Sequence, residues 1–160
     1  MAFTNTRHTV KRFDSEIDSL IEQVLEMGRA AGQQVEQAVT AFRVGDIELA
    51  QAVVAGDDVL NRRDLDIDQA CIRLLARRQP VSTDMRLVMS LHKAVADLER
   101  IGDEAKTIAE KALAIQARGG ELHKGVAHDM DCLAQVALQR FVAARDALAQ
   151  VSLAKVPMNG

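Results

Sequence analysis

The chain of 160 residues has the length of one ordinary domain and is 48% hydrophobic and 27% charged, yet only 2% aromatic, with no Trp or Tyr. Scarce β-forming aromatics beside abundant Ala, Leu, Glu, Gln and Arg disfavour a sandwich or barrel, and they leave no platform on which single-stranded bases could stack. A net charge of −3 argues against a basic surface that tracks nucleic-acid phosphates.

The longest uninterrupted apolar runs are four residues, such as Ala52-Val53-Val54-Ala55, against the roughly 20 that a bilayer span needs. Met1 to Arg12 is polar and no apolar stretch follows it, so a secretory signal is not expected. Cys71 and Cys132 are far apart and lack Cys-x-x-Cys spacing. Neither a disulfide nor a zinc ribbon is expected, and a reducing cytoplasm is the default compartment.

The first helix is expected from Phe13, because Phe13, Ile17, Leu20, Val24, Met27, Ala31, Val35, Ala38 and Phe42 recur in steps of three and four. Gly45 then Asp46 reads as a helix-ending glycine followed by an N-cap. The second helix places Leu49, Val53, Leu60, Ile67, Cys71 and Leu74 on one stripe and closes at Arg77-Arg78, ahead of Gln79-Pro80. Ser82, Thr83 and Asp84 open the third, with Leu87, Leu91, Ala94, Leu98, Ile101, Ala105, Ile108 and Ala112 expected inward, and Gly119-Gly120 ends it. The fourth carries Met130, Leu133, Ala137, Phe141, Ala144, Leu148 and Val151.

Long amphipathic helices joined by short turns make antiparallel neighbours, so the fold class is all-α, a three-helix bundle with a fourth long helix. The expected units are residues 1–118, the three-helix repeat, and 121–160, the fourth helix. Ala38, Phe42 and Leu49-Ala50-Gln51 recur as Ala137, Phe141 and Leu148-Ala149-Gln150 at a constant offset of 99. The fourth helix therefore reads as the start of a second repeat that is cut short. Its apolar stripe must pack on the first three helices or be exchanged with a second chain, which makes a homodimer the expected state.

The second helix is locally acidic, with Asp57, Asp58, Asp64, Asp66 and Asp68 around Asn61, and the third carries Glu99 and Asp103 four apart, with Lys106 close by. If Pro80 is the turn, Asp57 and Asp103 are each 23 residues from it, and Asn61 and Glu99 are each 19. Equal separations in an antiparallel pair mean equal height. Carboxylates gathered this way repel unless protonated or bridged by a cation, and oxygen donors suit hard cations such as Mg²⁺ or Mn²⁺, or iron when several carboxylates bridge. An acidic pair four apart is ordinarily only a solvated helix face. Glu99 and Asp103 also point about 120–160° from the apolar stripe expected for their helix, which puts the candidate site on the surface.

Three segments make the chain familiar: Asp57-Asp58-Val59-Leu60-Asn61, the turn Arg78-Gln79-Pro80-Val81-Ser82-Thr83-Asp84-Met85-Arg86-Leu87, and Asp97-Leu98-Glu99-Arg100-Ile101-Gly102-Asp103 followed by Ile108-Ala109-Glu110. In these motifs, in this order and at this spacing from Phe13 to Ala117, the chain resembles the PhoU family of phosphate-uptake regulators. The resemblance implies two three-helix repeats, each with acidic motifs on its second and third helices that are associated with surface iron, zinc, manganese or magnesium sites. It also implies a cytoplasmic, non-enzymatic negative regulator that couples the phosphate ABC transporter to the sensor kinase of the phosphate regulon and meets the membrane only through those partners.

Carried over by residue, the metal candidates are Asp57, Asn61, Glu99 and Asp103. Asn61 departs from the family, which often has Asp there, and the chain stops where the second repeat's motifs would begin, with Val156 and Pro157 at the places of Asp57 and Asp58. Two other readings compete. One is a metal-binding or scaffolding module without signalling; the other, behind it, is a carboxylate-metal enzyme, which would need a water-excluding pocket beside Glu99 and Asp103. No Glu-x-x-His, phosphate loop or Ser/His/Asp set is apparent. His92 reads as a surface histidine, Cys71 as packing, and Arg77, Arg78 and Arg86 as helix-end charges or a dock for an acidic partner.

Overall fold

The computed structural model describes residues 4–78, 82–119 and 124–154. Among them every regular element is an α-helix: α1 (Thr4–Val44), α2 (Ile47–Arg78), α3 (Ser82–Ala117) and α4 (Lys124–Ala154). The first helix thus begins nine residues before the expected Phe13. The turn at Pro80 and the counterparts Val156 and Pro157 lie outside the described residues.

The link between α1 and α2 forms as its residues dictate. Gly45 adopts φ 72°, a left-handed conformation that a side chain would strain, and the N–H groups of Gly45 and Asp46 both return to the Ala41 carbonyl, at 2.9 and 3.1 Å. Asp46 Oδ1 then accepts the Leu49 N–H at 3.0 Å and caps α2. The chain reverses there: Glu26 of α1 pairs with Arg63 of α2, while farther along α1 Gln34 meets Gly56. In the same way Asp68 meets His92, and Leu60 meets Gly102, which makes α2 and α3 antiparallel.

The three helices enclose two separate apolar clusters. One gathers Ile17, Leu20, Ile21, Val24, Met27, Leu60, Ile67, Leu74, Val88, Leu91, Val95 and their neighbours. The other, built of smaller residues, holds Ala38, Ala41, Ala50, Val53, Ala105, Ala109 and Ala112. Between the two in height stand Gln34 and Asp57, the two buried polar side chains among the described residues. The core is therefore pinched by a polar waist, and each fully buried Leu or Ile around it contributes about 1.5–3 kcal/mol.

Two stripes differ from expectation. On α3 the buried line runs through Val88, Leu91, Val95, Leu98, Gly102, Ala105, Ala109 and Ala112, while Leu87, Ala94, Ile101 and Ile108 are only half-buried. The cause is Gly102, which adds nothing to a hydrophobic pattern and yet lies where α3 comes close to α2: a Cβ there would stand 2.5 Å from Leu60 Cδ1. On α4, Phe141 and Leu148 pack as expected and Ala144 lines the groove beside them, but Leu133 is 69% exposed and Ala137 is exposed, while Ala134, Leu138 and Arg145 turn toward the bundle. Docking is set by α1, the one helix among the described residues whose backbone α4 approaches closely. Gly28 and Gly32 leave room for the Phe141 ring, and beside them an apolar groove of about 210 Å³ opens between α1, α3 and α4. Val151 lies among residues whose side chains are not described.

Candidate functional site

The acidic residues sit along the seam between α2 and α3. Counting from Pro80 places Asp68 and His92 at one height, each twelve residues away, and the structure joins them, Nδ1 to Oδ1, at 3.0 Å. The same register brings the four candidate positions into one neighbourhood farther along the seam. The Glu99 carboxyl feels the charges of Asp103, Asp64 and Asp57 and exchanges a hydrogen bond with Asp103.

Asp57 is where the expected surface site needs correction. Glu99 and Asp103 put the expected site on the surface, but Asp57 is only 2% exposed. Gly56 and Gly102 let the helices close over it, and the real centre of α3 passes through Gly102 rather than Ile101. At 100° per residue, Glu99 and Asp103 then stand about 60° and 100° from that centre, on the rim of the interface rather than behind it. The four candidates consequently form a graded set: Asp57 buried, Asn61 and Glu99 half-buried, Asp103 exposed.

A carboxylate cannot remain buried and ionised without partners. Asp57 Oδ2 accepts from Lys106 Nζ at 2.8 Å and from Asn61 Nδ2 at 3.2 Å, whereas Oδ1 has no hydrogen-bond partner. The second orphan acceptor, Gln34 Oε1, belongs to the same waist. The hydrogen bond and charge of Asp57, followed by Glu110 and Asp103, raise the basicity of Lys106 above that of an ordinary lysine. Glu99 shifts upward as well, first through desolvation and then through Asp103, Asp64 and Asp57.

This donor set suits a hard cation in its chemistry: carboxylates that repel one another, an amide, and one buried oxygen that nothing satisfies. The arrangement is a band and not a closed shell. Among the described residues no three His, Cys, Asp or Glu side chains stand close enough together to hold a metal ion. The ammonium of Lys106 lies inside the band, on Asp57.

Lys106 and Gln34 are participants that the sequence pattern does not single out. In the sequence Lys106 stands only as a neighbour of Glu99 and Asp103, although mid-helix Gly56 and Gly102 signal a close helix approach that would bury whatever lies beside it. Cys71 is buried as packing, and its thiol is pushed up mainly by desolvation. The exposed Cys132 lies 3.8 Å from His128 Nε2. A groove of about 360 Å³ runs between Ser19, Gln23, Arg73 and Arg77, away from the acidic seam.

Residues 24–112 match the PhoU domain family. The phosphate-specific transport system accessory protein PhoU of Edwardsiella tarda is 36% identical over 92% of this chain and 59% of its own length. The homologue from Pseudomonas putida is 43% identical over 71% of this chain and 44% of its own length. Among solved structures, PhoU from Pseudomonas aeruginosa superposes with a TM-score of 0.81 at 36% identity, covering 86% of this chain and 65% of that one. The phosphate transport system regulatory protein PhoU from Streptococcus pneumoniae gives 0.75 at 27% identity, covering 84% and 62%. The chain spans less than two thirds of the length of these relatives.

Proposed function

Because the chain belongs to the PhoU family, we propose that it is a non-enzymatic, cytoplasmic accessory regulator of phosphate uptake and phosphate-regulon signalling. In this reading it acts as a helical adaptor between the phosphate ABC transporter and the sensor kinase, and holds the kinase in its repressing mode. The relatives' names, accessory and regulatory proteins of phosphate transport, support the role. The observation that carries the site is the buried, half-satisfied Asp57 carboxylate beneath Glu99 and Asp103, within the residues that match the family. Regulation then rests on differential binding: the adaptor must prefer one state of its partner, since equal affinity for both shifts nothing.

We further propose that Asp57, Asn61, Glu99 and Asp103 hold a divalent or iron-type ion. Bound there, the ion would neutralise the acidic face and set the charge presented to a partner. The outward apolar residues of α4, Val126, Leu133 and Val136, support self-association into a homodimer.

Complementation in cells that lack their own PhoU-family protein tests the regulatory role. Restored repression of phosphate-responsive genes is expected, and unchanged derepression at equal expression refutes it. One observation favours a second reading, a scaffolding module without metal or signalling: Lys106 already supplies a positive charge to Asp57. Elemental content of protein purified without chelator or affinity metal separates the two.

A further inference from the structure

We infer that the outer face of the α2–α3 pair docks a basic amphipathic helix of a partner protein, with Leu65, Ile72, Met85 and Met89 as its apolar anchors. The inference rests on the adaptor reading and names the face and the partner chemistry that an adaptor would use.

The apolar anchors come first. Leu65 is 59% exposed, Ile72 58%, Met89 49% and Met85 38%, although side chains of this size are ordinarily buried. All four flank one line. Asp68 and His92, joined at 3.0 Å, mark where α2 meets α3 on the surface. Ile72 and Leu65 stand about one turn to either side of Asp68 on α2, and Met89 and Met85 about one and two turns from His92 on α3. The bundle does not need them, because Ile67, Cys71, Val88 and Leu91 already fill the interior at these heights. Nor does α4 cover them, since it docks on α1. Methionine, unbranched and polarisable, adapts its shape to an incoming surface.

Charge selects the occupant. Asp64, Glu99 and Asp103 continue the same line away from the methionines, close enough for Glu99 to feel both of the others. The nearby cations leave this charge standing: Lys106 is held by Asp57, and Arg100 reaches toward Asp97. Lys93 lies about 100° round α3 from His92, off the line. A second copy would set acid against acid, and an anionic lipid surface would be repelled. A helix with Lys or Arg bordering an apolar face satisfies both halves of the surface. The face from Met85 to Asp103 is about 27 Å long, which matches about five turns of such a helix.

The test is fluorescence anisotropy of a labelled helical peptide of about 18 residues, a Leu face bordered by Lys and Arg, titrated with the full chain. Ile72→Ser with Met89→Ser alters only exposed positions and is expected to weaken binding about tenfold. Asp64→Asn with Asp68→Asn should weaken it as well and flatten its salt dependence. Asp14→Asn with Asp18→Asn, which neutralises two exposed carboxylates of α1, should bind as the parent does. Unchanged binding by the Ile72/Met89 variant, an equal loss in the α1 variant, or equal binding of a peptide with Glu for every Lys and Arg would each overturn the inference. So would loss of a dimer in sedimentation by the Ile72/Met89 variant with peptide binding unchanged, which would assign the anchors to a second copy. In all these cases the regulatory role stands, because complementation by the parent chain judges it alone. Failed complementation beside the expected peptide results would remove that role and leave the docking face.

Discussion

Gly102→Ala is the sharpest test of the helix approach that builds the site. A Cβ at this position falls 2.5 Å from Leu60 Cδ1 and 3.6 Å from Gln34 Oε1. Leu60 is 1% exposed, so its methyl has no solvent to turn into, and either the side chain leaves its rotamer or α3 backs away from α2. Overpacking of this kind costs about 1–3 kcal/mol. Alanine regains about 1 kcal/mol of helix propensity over glycine, which offsets part of it. The net expectation is a loss of about 1 kcal/mol. With a urea slope of about 2 kcal/mol per molar, the unfolding midpoint falls by about half a molar.

Leu60→Ala alone leaves a cavity and costs about 2–5 kcal/mol. Combined with Gly102→Ala, the new methyl occupies part of that space, so the double variant should be more stable than the sum of the singles by about 1 kcal/mol. If Gly102→Ala is instead stabilised by the full propensity gain, the close contact does not exist. The burial of Asp57 would then need another cause.

The other predictions concern charge, docking and assembly. Glu99 is raised above its ordinary value of 4.5, so the folded state binds more protons than the unfolded one, and stability falls as pH rises through the raised value. Glu99→Gln, uncharged throughout, should therefore stabilise the protein more at pH 7 than at pH 4 in paired denaturation curves; an equal or reversed difference would show that its neighbours do not press on it. Phe141 reaches to within 3.0 Å of where a Cβ on Gly32 would stand. Phe141→Ala should loosen α4 at a cost below the about 3–5 kcal/mol of a fully buried phenylalanine. Hydrogen exchange should quicken in α4 and not in α1–α3, and uniform quickening would mean that α4 is integral to the core. Sedimentation at micromolar concentration should show a dimer through the exposed face of α4, and a monomer alone would remove self-association.

Much of this could be read along the chain. Helix order, the cap at Gly45-Asp46 and the level pairing of α2 with α3 follow from local chemistry and from counting, because a helix rises evenly and a reversal equates distances from the turn. The acidic motif could be recognised too, since it is a matter of residue type and spacing. What counting could not deliver was depth. Gly102 is silent in any hydrophobic pattern, yet it sets where α3 touches α2 and thereby draws Asp57 from a presumed surface into the interior. Apolar residues lie on both flanks of α4, so its periodicity fits two rotations, and only the space beside Gly28 and Gly32 chooses the one that seats Phe141. The grip of Lys106 on Asp57, between residues 49 positions apart, is likewise a tertiary matter. Periodicity tells which residues share a face; burial is decided by how closely the next helix can come, and that belongs to both helices at once.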